Sequence, residues 1–252
     1  MMRFSTLIRH PAEWMAGGAS EQSAVITSRI RLARNLRGHS FPGWAKKGER
    51  AEALEILRPA VEGLPAMKDA FSRELGELSS VQKQVLVERH LISREHAARG
   101  DGSGAVIERR QSFSIMLNEE DHLRMQSIRS GLKLTEAYKA LSELDSMLEQ
   151  KVDYAFDPTL GYLTTCPTNL GTGLRASAML HLPALVLSDQ IGPVLQAVNK
   201  IGLAVRGLYG EGTESLGNLY QISNQSTLGE SEETIINRLE RVISQVATHE
   251  EN

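Results

Sequence analysis

The sequence predicts an α+β fold, an antiparallel β-sheet flanked by α-helices, on three observations. Segments with strand-like alternation fall mainly in the middle and late chain. Segments with a helical 3.6-residue period lie between them irregularly, without strict βαβ order. No internal repeat, low-complexity tract or linker divides the 252 residues. One domain over 1–252 is therefore expected, with an N-terminal helix and turn over 1–22 and a core over 23–252. A chain of this length buries enough apolar surface to fold without staples.

The elements are justified in order. Residues 1–20 suggest a short helix and a Gly-rich turn, "AGGAS", and residues 24–28 a strand. Ala53, Leu54, Leu57 and Val61 recur at helical spacing within 49–62. "SVQKQVLVERHLI" (80–92) also suggests a helix, and "RGDGSGA" (99–105) a flexible polar loop. In "SFSIMLN" (112–118), Phe113, Ile115 and Leu117 alternate onto one face, as in a half-buried strand, and "HLRMQSI" continues in that style. Ala137, Tyr138, Leu141, Leu144 and Leu148 mark a long amphipathic helix over 135–150. "GYLTT" and "LRASAMLHL" suggest extended chain, 189–200 a helix, and "GLAVRGLY" and "NLYQISN" strands. A last helix from about 231 has Ser231 as its cap and Glu232 and Glu233 in its first turn. Its apolar stripe is Ile235, Ile236, Leu239, Val242, Ile243 and Val246.

Composition excludes several classes. The formal net charge of -3 argues against a general nucleic-acid binder. No signal-like or membrane-spanning stretch is present, and a lone cysteine, Cys166, fits a reducing compartment, so a soluble cytoplasmic protein is expected. Arginine exceeds lysine by 20 to 8, a bias that suits bidentate recognition of phosphate or carboxylate. No P-loop or Rossmann glycine pattern is present, so any nucleotide phosphates must be neutralised by side chains.

Four segments carry that chemistry. In "TSRIR" (27–31), Arg29 and Arg31 point to one side of an extended chain about 7 Å apart, a spacing that can clamp a polyphosphate. In "NEEDHLR" (118–124), Glu119 and Glu120 precede Arg124. A carboxylate there can accept two guanidinium N–H bonds or take a proton, and paired acids can serve Mg²⁺ through its waters. In "CPTNLGTGLRAS" (166–177), small residues before Arg175 let a ligand approach the backbone, and a cysteine beside arginines is favoured as the thiolate. In "RGLYGEG" (206–212), one arginine and one glutamate share a Gly-rich loop of the kind that closes over substrate.

Together with "VERHLIS", "QKVDYAF", "HLPALVL" and "VRGLYGEGTESLGNLYQISNQSTLG", these segments resemble the catalytic domain of the phosphagen (ATP:guanido) kinases over roughly 20–247. The resemblance is closest to their bacterial protein-arginine kinase branch. It implies the phosphagen kinase, or glutamine synthetase-like, catalytic fold. It places the nucleotide-phosphate arginines at Arg29, Arg31, Arg124, Arg175 and Arg206. Further ATP contacts fall at Thr27, Ser28, Ile30, His90, Ala176, Ser177, Ala178, Met179, Gly207, Leu208, Tyr209, Gly210 and Glu211. The guanidinium-binding carboxylates align with Glu120 and Glu211, and the active-site cysteine with Cys166. Arg34 is not carried over and is expected to be structural.

The implied reaction uses ATP and Mg²⁺, with no direct protein ligand for the metal. Mg²⁺ is expected on the phosphates and water, near Glu119. The implied acceptor is arginine in protein substrates, in protein quality control or regulation, with an activator protein and a Clp-type chaperone-protease as partners. Neither nucleic acid nor a membrane is an expected partner. Two departures stand out. Only 28 residues precede Arg29, where phosphagen kinases carry a helical N-terminal domain, and no C-terminal regulatory region is expected. Thr27 replaces a usual serine and keeps the hydroxyl. Two other readings are kinase action on free arginine or another small guanidino compound, and a nucleotide- or phosphoarginine-binding regulator without turnover.

Overall fold

The structure, a computed structural model, describes residues 2–17, 24–207 and 216–252. Ten strands are described: β1 (Val25–Arg34), β2 (Phe71–Glu74), β3 (Gly104–Ile107), β4 (Phe113–Leu117), β5 (Leu123–Ser130), β6 (Phe156–Asp157), β7 (Gly161–Tyr162), β8 (Leu174–His181), β9 (Leu203–Gly207) and β10 (Leu219–Asn224). The helices are α1 (Phe4–Leu7), α2 (Lys47–Glu62), α3 (Ser80–Glu88), α4 (Arg94–Ala97), α5 (Leu134–Glu149), α6 (Pro183–Leu187), α7 (Ile191–Lys200) and α8 (Glu232–Glu251). Eight strands form one sheet in the order β2-β3-β4-β5-β1-β8-β10-β9, with every neighbouring pair antiparallel. β6 and β7 make a separate hairpin.

Strand alternation divides the sheet into two faces. On one, Ile30, Leu32, Met125, Ala176, Ala178, Leu180 and Ile222 are buried in the main core. The stripes of α5 and α8 pack against them through Leu141, Leu144, Leu148, Ile235, Leu239 and Ile243. Full burial of each such side chain contributes about 1.5–3 kcal/mol. α2 extends the layer over β3 and β4 through Leu54 and Leu57. On the opposite face, a smaller core of Phe71, Leu75, Leu86, Leu91, Ile107 and Met116 seats α1, α3 and α4 over β2–β4. That second layer stops short of β1, β8, β10 and β9, so half of one sheet face is left for a ligand.

Several expectations need correction. β1 runs ten residues, well beyond 24–28, because its arginines are tolerated on the uncovered face. The helix expected over 80–92 ends at Glu88. The polar loop is shorter than 99–105, because Gly104 and Ala105 already belong to fully buried β3. β4 is buried on both faces, since Ser114 and Met116 lie under the smaller core. β2 and α6 were not expected. In α8, Ser231 accepts from the Thr234 N–H as the cap, but Ala247 joins the buried stripe and Val242 is only partly buried.

Candidate active site

Register assembles the uncovered face. Arg31 pairs with Gln126 of β5 and with Arg175 of β8, and Arg29 pairs with Ile128 and Ser177. One row on, Thr27, Met179, Gln221 and Arg206 follow one another across β1, β8, β10 and β9. Arg124 opposes Ala33. Five arginines from four strands therefore share one face. The residues between them do not: the side chains of Ile30, Ala176 and Ala178 lie in the main core. Ser28 is also turned away, donating to the Gly131 carbonyl (2.8 Å) and accepting from the Lys133 N–H (2.8 Å) before α5. The expected contacts at Ser28, Ile30, Ala176 and Ala178 are thus not side-chain contacts.

Over this face lies a cavity of about 890 Å³, walled by the sheet on one side and by α3 and α4 on the other. Thr27, Arg29, Arg31, His90, Arg124, Ser177, Met179, Arg206 and Gly207 all line it. A chamber of about 180 Å³ adjoins it, lined by Glu120, Cys166, Thr168, Asn169 and Arg175. Arg31, Arg124 and Arg206 belong to the walls of both. The two spaces therefore meet at an arginine partition. Leu208, Tyr209, Gly210 and Glu211 lie outside the described residues.

The partition carries uncompensated charge. Burial, then Arg124 and Arg175, lowers the pKa of Arg29 to about 10. Burial and the same kind of repulsion, from Arg29, Arg124 and Arg175, pull Arg31 well down, and its Nε is buried without a partner. Arg175 is lowered by burial and by Arg206 and Arg124. Like charges directly opposed across strands are destabilising. A bound polyanion would reverse that sign.

Arg124 differs because Glu119 holds it. Its Nη1 donates to both Glu119 oxygens at 2.8 and 2.7 Å. Burial would push Glu119 up, but Arg124 and hydrogen bonds from Ser93, Arg124 and the Glu120 N–H outweigh it and bring its pKa to about 2. Glu119 is the counter-ion of Arg124 and lines neither cavity. Among the described residues, no cluster of three or more His, Cys, Asp or Glu side chains is placed to hold a metal ion.

His90 reaches the cavity because of how α3 ends. The His90 N–H donates to Val87 O (2.9 Å) and the Leu91 N–H to Leu86 O (2.9 Å), with His90 at φ 58°. This is a Schellman C-cap in which histidine occupies the left-handed position usually given to glycine. Burial, then Arg29, lowers its pKa to about 4, so it is neutral at pH 7. The Trp14 ring lies 5.1 Å from it, and the indole N–H donates to Arg89 O (3.2 Å).

In the smaller chamber, Cys166 precedes a short turn over Pro167–Asn169, and its Sγ lies 3.0 Å from Thr168 Oγ1. Burial, then Asp121, raises the pKa of Glu120. Gly173, in the chamber wall at φ +65°, must lack a side chain, because a Cβ there would come 2.6 Å from Ala33 O. Arg34 is structural as expected: it donates to Asp145 (2.6 Å), and Tyr162 stacks over it at 3.5 Å.

A family model described as ATP:guanido phosphotransferase, C-terminal catalytic domain, matches residues 54–252. The chain belongs to the ATP:guanido phosphotransferase family. Relatives of this ATP:guanido phosphotransferase include a protein-arginine kinase of Moorella thermoacetica, 49% identical over 242 residues, which span 95% of this chain and 69% of the relative. One from Geobacillus sp. is 46% identical over 241 residues, 95% of this chain and 67% of the relative. Among solved structures, the duplicated taurocyamine kinase of Schistosoma mansoni with bound transition state analog components aligns at TM-score 0.81 and 28% identity. It covers 98% of this chain, which spans 35% of that duplicated one. Lombricine kinase aligns at TM-score 0.78 and 27% identity, covering 96% of this chain and 71% of its own.

Trp14, Gln126 and Gln221 line the nucleotide-sized cavity of this family member without having been singled out in the sequence. Gln221 accepts from Arg29 Nη2 (3.1 Å). Asn224 orders Arg175, whose Nη1 donates to its carbonyl (2.9 Å). The period-two rule applied to "NLYQISN" would have put Gln221 on the ligand face. Nothing local marks Trp14.

Proposed function

We propose that this chain transfers the γ-phosphoryl group of MgATP to the guanidinium of arginine side chains in proteins. The observation that carries the reading is the arginine partition between a large cavity and a small chamber holding Glu120 and Cys166. Near 50% identity to proteins named protein-arginine kinases supports the choice of acceptor.

In this reading the triphosphate lies in the larger cavity against Arg29, Arg31, Arg124 and Arg206, with Arg175 reached from the smaller chamber, and neutral His90 faces the base. Mg²⁺, held through the nucleotide, would supply further neutralisation of charge. The acceptor guanidinium occupies the smaller chamber. Glu120 receives its N–H bonds and, with its upward-shifted pKa, takes the departing proton. Cys166 adds a further contact through its sulfur, and Glu211 is the second carboxylate by resemblance. Shared arginines then sit where charge develops during transfer, which is where fixed donors lower the barrier most. On the resemblance alone we extend the proposal to protein quality control alongside an activator protein and a Clp-type chaperone-protease. No helix among the described residues is long and apolar enough to cross a membrane.

The test incubates the chain with MgATP and casein, with free arginine in parallel. Products are read by mass spectrometry at neutral or mildly basic pH, because the N–P bond is acid-labile. Phosphate on casein arginine is the expected result. Phosphorylation of free arginine alone would overturn the choice of acceptor, and ATP binding without either product would overturn the catalytic reading.

A further inference from the structure

Asn35 directly follows β1, the strand that bears Arg29 and Arg31, and it is 1% exposed. Its Nδ2 donates to Asp121 Oδ1 (2.7 Å) and to Leu163 O (3.0 Å), while its Oδ1 accepts from the His122 N–H (2.8 Å). The partners lie between 86 and 128 residues away in sequence. The same Asp121 oxygen accepts from the Thr165 N–H (2.7 Å), and Thr165 Oγ1 donates to Glu120 O (2.9 Å). One amide thus joins the end of the phosphate-binding strand, the loop that presents Glu120 and the loop that presents Cys166. Thr165 closes the knot between the last two.

We infer that Asn35 and Thr165 are positioning residues that fix Glu120 and Cys166 relative to the phosphate arginines. The inference rests on the reading of Glu120 and Cys166 as acceptor-side groups. Its physical reason is reach. In-line transfer needs reacting atoms about 3–3.5 Å apart, and a misplacement of about 1 Å costs on the order of 100-fold in rate. Both groups sit on loops, which hold geometry less well than strands. Tying both loops to the end of β1 gives them the rigidity of the sheet. The amide is specific for the task because it donates to two acceptors and accepts from one donor at the same time. An aspartate at position 35 would keep the acceptor, lose the donor and set a second carboxylate against Asp121.

The test compares Thr165→Val, Thr165→Ser and Asn35→Asp with the wild-type chain. Thr165 is half-buried, so its variants remain informative if Asn35→Asp does not fold. Three quantities are read: kcat with the arginine acceptor, nucleotide Kd, and the rate of Cys166 alkylation by iodoacetamide as a function of pH. Thr165→Val is expected to lower kcat at least tenfold with nucleotide Kd unchanged within twofold, and to alter the alkylation profile. Thr165→Ser, which keeps the hydroxyl, should restore most of both. Unchanged kcat and alkylation in Thr165→Val, or a serine variant no better than valine, would overturn the inference. Glu120→Gln is run alongside. If it transfers phosphate normally, the acceptor-side reading falls on its own, and the alkylation profiles still decide whether Thr165 positions the Cys166 loop.

Discussion

Arg31 and Arg175 oppose each other across β1 and β8, an arrangement that folding alone would select against. Arg31→Met keeps an unbranched stem, two atoms shorter, and removes the repulsion and the buried unpartnered Nε. It should hold or raise Tm while weakening nucleotide binding at least tenfold, as checked by calorimetry of both transitions. A fall in both stability and affinity would mean that Arg31 is structural. Glu120→Gln should abolish transfer and leave nucleotide Kd nearly unchanged, because Glu120 lines the smaller chamber and not the larger cavity. Single-turnover kinetics with labelled ATP would read the first effect and equilibrium titration the second. The arginine face was legible from the sequence because period-two spacing in "TSRIR" and "LRASAM" needs only the knowledge that these segments are strands. The Glu119–Arg124 pair was less so: spacing brought Glu119, Glu120 and Arg124 together, but not which carboxylate turns inward. The knot at Asn35 was not legible, since its partners come from segments more than 80 residues away.

Two elements owe their placement to single residues. α3 stops where His90 takes a left-handed conformation, at a cost of roughly 1–2 kcal/mol relative to glycine. His90→Gly relieves that strain but gives the unfolded chain more freedom, so the net change in stability should stay within about 1 kcal/mol. Nucleotide affinity should nevertheless drop several-fold, because the ring is lost from the cavity wall. Equal affinity would show the histidine to be only a cap. The helix end was missed in the sequence because "RHLI" continues the apolar pattern and holds no glycine. β2 was missed because four residues, two of them charged, give no periodic signal. β1 is joined to α5 by Arg34, whose Nε and Nη2 both donate to Asp145, and Tyr154 donates to the other Asp145 oxygen (3.0 Å). Asp145→Ala leaves the guanidinium buried without its counter-ion and should cost about 3–5 kcal/mol, measurable by urea denaturation.

For the whole molecule, acid sensitivity follows from three histidines held neutral. His90, His96 and His122 each have a pKa of about 4, lowered mainly by burial. Below about pH 6.5 the unfolded chain takes up protons that the folded chain refuses, so each histidine removes up to about 1.4 kcal/mol of stability per pH unit down to about pH 4. Glu119 is shifted in the same direction, down to about 2, and so adds to the acid sensitivity. Its stabilisation is complete above the ordinary carboxylate range near 4.5 and is lost as pH falls from there towards 2. Tm should therefore begin to fall near pH 6.5, well before carboxylates titrate, and His90→Gln should make the fall shallower. A Tm constant down to pH 5 would contradict this. The chain has two tryptophans, and they sit in opposite settings. Trp44 is 77% exposed, whereas Trp14 lies against His90 in the cavity wall. The protein thus carries its own optical gauge: iodide should quench Trp44 at all times, while the Trp14 component should report nucleotide occupancy without any added label.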